Sequence, residues 1–267
     1  MRAVKLGQLD VSRLVIGGNP FSGFSHQGPD RDREMLDYYT VDRIKQALRK
    51  AEAAGINTFF GRTDRHVRRL LREYWNEGGT IQWVGQTASE LGDQLRAVRD
   101  AARDGARGVY IHGGQVDHWF AHGQTDRLRA ALDVMRECGV AAGFAGHRVD
   151  AHRWIRDHLE PDFQMCCYYD PSDRADSPHH QSTVDEKWDD AHRDQMVELI
   201  RTFPWPAVHY KVFAGGNKPI DAGFRYLAGS MRPDDLVCIG HYLAENPDMI
   251  AENAATFDRV VENDAGK

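Results

Sequence analysis

Long apolar runs, paired cysteines and an excess of basic charge are all missing from this sequence. No run of 18 or more apolar residues occurs, so we expect no membrane-spanning helix, and the first residues lack the apolar core of a signal peptide. The four cysteines form no C-x-x-C pair, which favours reduced, buried thiols. A net charge of −6 disfavours nucleic acid as a partner. We expect a cytoplasmic protein that binds a small molecule, with no membrane or nucleic-acid partner and with homo-oligomerisation left open.

Length and composition indicate one large α/β domain. The chain has 267 residues, of which 41% are apolar and 28% are charged. A complete (β/α)8 barrel has roughly 250 residues. The sequence shows no domain boundary and no low-complexity tract. We therefore predict a single domain over residues 1–267.

Short apolar segments alternate eight times with amphipathic segments. In residues 40–54, for example, apolar side chains recur with helical spacing, and Gly55 follows as a terminating glycine. The predicted strands are residues 14–19, 56–60, 81–86, 108–112, 140–145, 163–168, 207–213 and 236–240. The predicted helices are residues 40–54, 67–75, 91–102, 126–138, 150–159, 191–203, 221–230 and 247–261.

The strand segments are almost continuously apolar, which is typical of parallel strands covered on both faces. Eight β/α units in this length favour a closed barrel, and the G-x-G-x-x-G of dinucleotide-binding Rossmann domains is missing after strand one. We predict an α/β protein with a (β/α)8 TIM-barrel fold. Two long loops, 20–36 and 170–190, follow strands one and six, so we expect them at the active-site face.

Several segments resemble the aldo-keto reductases. Residues 6–18 are similar to that family's start, where a glycine-bearing hairpin leads into strand one, and residues 55–60 (GINTFF) are similar to its second strand. Residues 110–112 (YIH) and 209–216 (HYKVFAGG) resemble the end of its fourth strand and its seventh strand with the following loop. The pair Glu252-Asn253 resembles a late Glu-Asn pair. The resemblance implies that family's barrel.

Three of the four catalytic positions of that family are changed here. Its members reduce carbonyl compounds with Asp, Tyr, Lys and His, and the Tyr donates the proton. The resemblance places Phe60 at the Asp, Arg65 at the Tyr and Gln86 at the Lys, and only His112 is retained. A guanidinium cannot replace the phenol, because it does not deprotonate in proteins. The departures argue against reductase chemistry.

The nicotinamide site of that family is also only partly matched. Tyr210 corresponds to the aromatic residue on which the nicotinamide stacks, whereas the family's Asn and Gln fall near His147 and Cys166. Residues 239–246, after strand eight, contain no cation for a 2′-phosphate. These differences disfavour NAD(P) as the cofactor.

Polar side chains, including many of the 13 histidines, gather at the predicted strand ends. Histidine is an acid, a base or a ligand near neutral pH, and polar residues at these strand ends are typical of catalytic sites in barrels. A lysine in an apolar strand is costly, so Lys211 is expected to be a base, a nucleophile, an electrostatic clamp or half of an ion pair. The predicted catalytic residues are His112, His147, Lys211 and Tyr168. The predicted substrate-binding residues are Asn19, His26, Arg62, Gln86, Tyr210, His209 and His241.

A divalent metal site is a second hypothesis for the same strand ends. Asp64, His66, His112 and His147 offer a mixed carboxylate and imidazole set that suits Zn, Mn, Fe or Ni. The alternative is that these histidines bond substrate hydroxyls or backbone without a metal. The residues are scattered over several strands, and no compact motif decides between the two.

Together these features favour a non-redox enzyme of the lyase, isomerase or hydratase type. It would act on a small polar, sugar-derived keto or hydroxy compound by acid–base chemistry, with or without a metal. One alternative is an NAD(P)-dependent aldo-keto reductase with a rearranged proton donor, such as His66 or Tyr168. The second alternative is a binding or scaffold barrel without catalysis.

Overall fold

Eight parallel strands close into a barrel in the computed structural model, which describes residues 1–170, 176–179 and 188–262. An antiparallel hairpin of β1 (Ala3–Leu6) and β2 (Leu9–Ser12) precedes the barrel. The barrel strands are β3 (Leu14–Gly17), β4 (Thr58–Arg62), β5 (Gln82–Gln86), β6 (Gly108–Ile111), β7 (Ala141–Gly146), β8 (Phe163–Cys167), β9 (Ala207–Tyr210) and β10 (Leu236–Gly240), with β10 pairing β3. The predicted TIM barrel is confirmed.

The helices lie outside the barrel and include all eight that the periodicity predicts. They are α1 (Pro29–Tyr38), α2 (Val41–Ala53), α3 (Arg65–Asn76), α4 (Gln94–Arg103), α5 (Gly113–Ala121), α6 (Thr125–Glu137), α7 (Val149–His158), α8 (Asp190–Ile200), α9 (Ile220–Ser230) and α10 (Met249–Phe257). In the described part of the chain, no helix is long and apolar enough to cross a membrane.

Two helices are additional to the prediction. Helix α1 occupies much of the predicted loop 20–36, where Pro29 starts the helix and Asp30 and Asp32 lie in its first turn. Helix α5 begins with Gly113 and Gly114. Because glycine has a poor helix propensity, the sequence does not predict a helix there. Of the other predicted loop, 170–190, residues 171–175 and 180–187 lie outside the described residues.

The apolar core has two layers, divided by the barrel wall. Side chains such as Val84, Phe163 and Val208 fill the barrel interior, and Leu6 and Val11 of the hairpin belong to the same cluster. The hairpin therefore packs with the barrel interior, as the resemblance implies. The larger cluster lies between the outer face of the sheet and the helices.

Candidate active site

A cavity of about 720 Å³ is lined by the strand ends and the loops that follow them. That volume lies within the range of roughly 300–1,000 Å³ that is usual for ligand and cofactor sites. Buried Phe60, Tyr110 and Met165 of the barrel interior also line it. The predicted site residues among its lining are Asn19, His26, Arg62, Gln86, His112, His147, Tyr210 and Lys211.

A buried carboxylate holds His147 from the side opposite the cavity. The His147 Nδ1 atom lies 2.7 Å from Asp117 Oδ2, and Asp117 is fully buried on α5. The same carboxylate accepts the backbone N–H of His147 at 3.1 Å and that of Arg148 at 3.3 Å. A carboxylate that only accepts requires a hydrogen on Nδ1, so the neutral imidazole presents an unprotonated Nε2.

The hydroxyl of Tyr210 lies beside that Nε2 atom. It is 3.4 Å from His147 Nε2 and 3.3 Å from the carbonyl oxygen of Gly146, and either atom can accept its hydrogen. Burial, together with the neighbouring Cys167 and Asp117, raises the pKa of Tyr210 well above its ordinary value. The phenol therefore stays protonated at neutral pH. A Cβ on Gly113 would lie 3.1 Å from His147 Cε1 and 3.2 Å from the Tyr210 hydroxyl, so the glycine gives this pair room.

His112, Gln86 and Arg62 line the cavity from the ends of three successive strands. His112 is the N-cap residue of α5 and donates its backbone N–H to Thr87 Oγ1 at 3.1 Å. Gln86 pairs in register with Arg62 on one side and Tyr110 on the other. These groups suit hydrogen bonding to a polar ligand.

Lys211 and His26 are two of the three non-glycine residues with positive φ among those described. Lys211 has a φ of 56°, and β9 ends just before it at Tyr210, whereas the predicted strand runs to residue 213. Because the backbone leaves the strand there, Tyr210 and Lys211 can both line the cavity, which strict strand alternation forbids. His26 has a φ of 60° and packs near Gly215 of the opposite loop. Strained residues of this kind gather at functional sites.

The metal hypothesis is wrong for the described residues. Asp64 caps α3, since its Oδ1 accepts the Val67 N–H at 3.0 Å while its Oδ2 pairs with Arg62 Nε at 2.8 Å. His66 is exposed on α3 and does not line the cavity. No group of three or more His, Cys, Asp or Glu side chains within residues 1–170, 176–179 and 188–262 could hold a metal ion.

His209 and Tyr168 lie outside the cavity. The His209 ring is wholly buried, with Nδ1 2.9 Å from the Tyr168 hydroxyl and Nε2 3.2 Å from Asp235 Oδ2. Tyr168 also contacts Tyr226 of α9, so both side chains lie between the sheet and the helices. The structure therefore separates these two predicted site residues from the others.

His241 is also buried away from the cavity lining. Neither ring nitrogen makes a well-formed hydrogen bond among the described residues, although the Tyr39 hydroxyl donates to the His241 backbone carbonyl at 2.6 Å. Burial lowers the pKa of His241 to about 4, against a smaller raising effect of the Ile239 carbonyl. The ring is therefore neutral and lacks well-formed hydrogen bonds, which costs stability.

We expect His241→Leu to stabilise the protein by about 1–3 kcal/mol at pH 7, because it removes a buried polar ring whose nitrogens lack well-formed hydrogen bonds. The gain should widen as the pH falls from about 6.5 towards 4, since the unfolded wild type takes up a proton there that the folded ring does not. Urea unfolding at several pH values measures both effects. The control is His66→Leu, at an exposed histidine. A destabilised H241L would show that the ring contributes packing that leucine cannot replace.

Asp117 is close to the predicted end of strand four in the sequence, but no role in the site was predicted for it. It lies between Val116 and Trp119, which are both buried, on a helix that the double glycine obscures. An acidic residue on the apolar face of a short amphipathic segment is the signal that could have found it. Tyr110, whose pKa burial raises well above its ordinary value, lines the cavity as part of the resembling segment 110–112.

Solved structures resemble this chain over almost its whole length. A protein from Pseudomonas aeruginosa, provisionally described as an aldo-keto reductase, has a TM-score of 0.64 at 20% identity and covers 97% of this chain and 95% of its own. An aldo-keto reductase from Bacillus halodurans in its holo form has a TM-score of 0.61 at 12% identity, with coverages of 99% and 96%. The glycerol dehydrogenase of Gluconobacter oxydans has 0.52 at 12%, with 96% and 76%. This chain has the aldo-keto reductase fold. No protein-family model matches it, and no curated protein sequence does.

These neighbours correct two predictions. They are described as oxidoreductases, which contradicts a lyase, isomerase or hydratase on this barrel. The argument against NAD(P) is also wrong: the neighbours are described as reductases or a dehydrogenase, one of them in its holo form, and a cation for the cofactor phosphates need not come from the segment after strand eight. The cavity has cations from other segments, namely Arg31 of α1, which pairs with Glu245, and Lys218 before α9, which pairs with Asp190.

Proposed function

We propose that this protein is a nicotinamide-dependent oxidoreductase that interconverts a small carbonyl compound and its alcohol, with His147 as the acid–base group. The observation that carries the proposal is the Asp117–His147 pair, whose Nε2 atom lies beside the Tyr210 hydroxyl in the cavity. The family's tyrosine position is Arg65, which is exposed, so another proton donor is required. The sequence suggested His66 or Tyr168 as a rearranged proton donor, but His66 is exposed and Tyr168 lies outside the cavity.

The cavity residues fit an anionic dinucleotide. Gly215 and Gly216 line it with φ values of 61° and 91°, and a Cβ on Gly215 would come within 2.8 Å of His26 Cβ. The start of α9 at Ile220 also lines it, and helix N-termini and exposed backbone N–H groups favour phosphate. The ammonium of Lys218, which pairs with Asp190, lies beside them and could turn to a phosphate. When bound, the nicotinamide dinucleotide supplies or accepts a hydride.

His147 would donate a proton to the carbonyl oxygen in the reductive direction and remove one from the alcohol in the other. The buried Asp117 carboxylate stabilises the imidazolium that donates, and it fixes the ring by accepting from Nδ1. Tyr210 keeps its proton because its pKa is raised, so it orients a ligand oxygen by hydrogen bonding. His112, Gln86 and Arg62 would bind the polar part of the substrate.

Cofactor titration tests the proposal. We expect saturable quenching of tryptophan fluorescence by NADH or NADPH, and oxidation of the reduced cofactor in the presence of a small aldehyde or ketone. His147→Gln should keep the quenching and lower turnover by about 10²-fold or more. The control is His66→Gln, at an exposed histidine on α3. Absence of quenching by either cofactor at millimolar concentration would overturn the proposal.

A further inference from the structure

His152 is a fully buried histidine on α7, outside the barrel wall. Its Nδ1 atom lies 2.6 Å from Gln164 Oε1, and its Nε2 atom lies 3.2 Å from the Gly146 carbonyl oxygen. Burial lowers the pKa of His152, so the ring is neutral and has one N–H to donate. The Gly146 oxygen can only accept, whereas the Gln164 amide can donate or accept. With Gln164 Oε1 towards Nδ1, the single ring hydrogen would lie on Nδ1 and leave Nε2 bare against the Gly146 oxygen. Turning the Gln164 amide so that its N–H donates to Nδ1 places the ring hydrogen on Nε2 and satisfies both contacts.

The Gly146 carbonyl oxygen is approached from both sides of the barrel wall. His152 reaches it from the helix layer, and the Tyr210 hydroxyl reaches it from the cavity at 3.3 Å. A carbonyl oxygen has two lone pairs and can accept both hydrogens. The oxygen therefore connects a buried histidine outside the barrel to a cavity hydroxyl.

Besides the weakly accepting Cys167 thiol, the Tyr210 hydrogen has two acceptors, His147 Nε2 and the Gly146 oxygen, and the protonation state of His147 determines which of these two it uses. When His147 is neutral, its bare Nε2 accepts from the hydroxyl across 3.4 Å. When His147 is charged, Nε2 donates to the Tyr210 oxygen, and the hydroxyl hydrogen turns to Gly146, whose carbonyl oxygen is a stronger acceptor than the neighbouring Cys167 thiol. The carbonyl thus lets His147 gain a proton without leaving a buried hydroxyl unsatisfied.

We propose that His152 is a positioning residue for proton exchange at His147: by donating to the Gly146 carbonyl, it holds the acceptor that Tyr210 uses whenever His147 is charged. The inference rests on the proposed function, in which His147 changes charge in each cycle. Besides Tyr210, the ionisable groups near His147 are Asp117 of α5, Arg148 at the start of α7 and His152, and the Cys167 thiol of β8 adjoins the Tyr210 hydroxyl.

Two isosteric variants separate the two ends of the His152 ring. Glutamine places its amide nitrogen near the position of Nε2 and can still donate to Gly146, whereas asparagine places its amide nitrogen near Nδ1 and cannot. We expect His152→Asn to lower the pKa of His147, which NMR of labelled histidine measures. The same variant should lower kcat about tenfold with little change in KM. His152→Gln should restore both quantities towards wild type. Equal effects of the two variants would overturn the inference.

A second experiment tests the route through Tyr210. In a Tyr210→Phe background, His152→Asn should leave the pKa of His147 unchanged, because the hydroxyl that transmits the effect is gone. An undiminished effect in that background would contradict the route.

The tautomer of His152 can be measured on the wild-type protein, so this test does not depend on whether a variant folds. The ¹⁵N shifts of His152 should show the Nε2–H tautomer, and an Nδ1–H tautomer would overturn the inference. Cofactor quenching is independent of all these readouts, so failure of this inference can be told from failure of the proposed function.

Discussion

Asp117→Asn is expected to lower kcat by about 10²–10⁴-fold while the protein stays folded and still binds the cofactor. The reason is the tautomer of His147. The Asp117 carboxylate accepts from the backbone N–H groups of His147 and Arg148 as well as from Nδ1. An asparagine must keep its oxygen towards those two backbone donors, so its amide nitrogen faces Nδ1.

An amide nitrogen can only donate, so Nδ1 must then accept and the single hydrogen of the neutral ring moves to Nε2. To donate that hydrogen, a neutral imidazole would have to become an anion, which is inaccessible near neutral pH. The charged ring would also lose the buried carboxylate that stabilises it. Both effects remove the acid that reduces a carbonyl.

Steady-state kinetics, cofactor quenching and thermal unfolding of D117N measure these consequences. Asp133→Asn on α6 is the matched control, because Asp133 is exposed. The double variant with His147→Gln should be little worse than H147Q alone, since the two residues act as one unit. A D117N enzyme with wild-type turnover would exclude the pair as the acid–base group.

The barrel could be predicted from the sequence because its signals are local. Eight apolar segments separated by amphipathic helices have few arrangements in 267 residues, and parallel strands buried on both faces explain why the segments lack alternation. Helix α5 escaped prediction because Gly113 and Gly114 suppress the local signal, whereas tertiary packing of Val116 and Trp119 stabilises it.

The side to which each strand-end residue points could not be predicted. Successive side chains of a strand point to opposite faces of the sheet, so the sequence predicts that Tyr210 and Lys211 point to different sides. The left-handed φ of Lys211 ends the strand, and this alternation no longer applies there. His209 and Tyr168 satisfy every sequence criterion for a site, yet they face the helix layer. The carboxylate that binds His209 in the helix layer is that of Asp235, which is 26 residues away. Nothing in the sequence around Asp235 indicates this pairing.

Asp235→Ala is expected to destabilise the protein by about 3–5 kcal/mol, because it strips a buried ionic network of its only carboxylate among the described residues. Asp235 is fully buried and accepts from the Ala207 N–H at 2.9 Å, from His209 Nε2 at 3.2 Å and from Arg232 Nη2 at 2.7 Å. Arg232 in turn donates to the carbonyl oxygen of Trp205 at 2.7 Å. The alanine leaves these donors without their acceptor and loosens the start of β9.

The effect should also depend on pH in a defined direction. Burial alone would raise the pKa of Asp235, but the hydrogen bonds from His209 and Arg232 outweigh burial and lower it. Because the pKa is lower in the folded state, the stabilisation is present above the unfolded value of about 3.9 and is lost as the pH falls further. The stability difference between wild type and D235A should therefore be largest near neutral pH and should shrink below about pH 4.

Urea unfolding across this pH range measures the difference, with Asp234→Ala as the control because that neighbour is exposed. Cofactor quenching of D235A at low temperature should remain close to wild type, since Asp235, His209 and Arg232 do not line the cavity. A D235A protein of wild-type stability would mean that His209 and Arg232 find other acceptors. A folded D235A protein that no longer binds the cofactor would show that this network shapes the cavity. His209 would then contribute to the site indirectly, through the shape of the cavity.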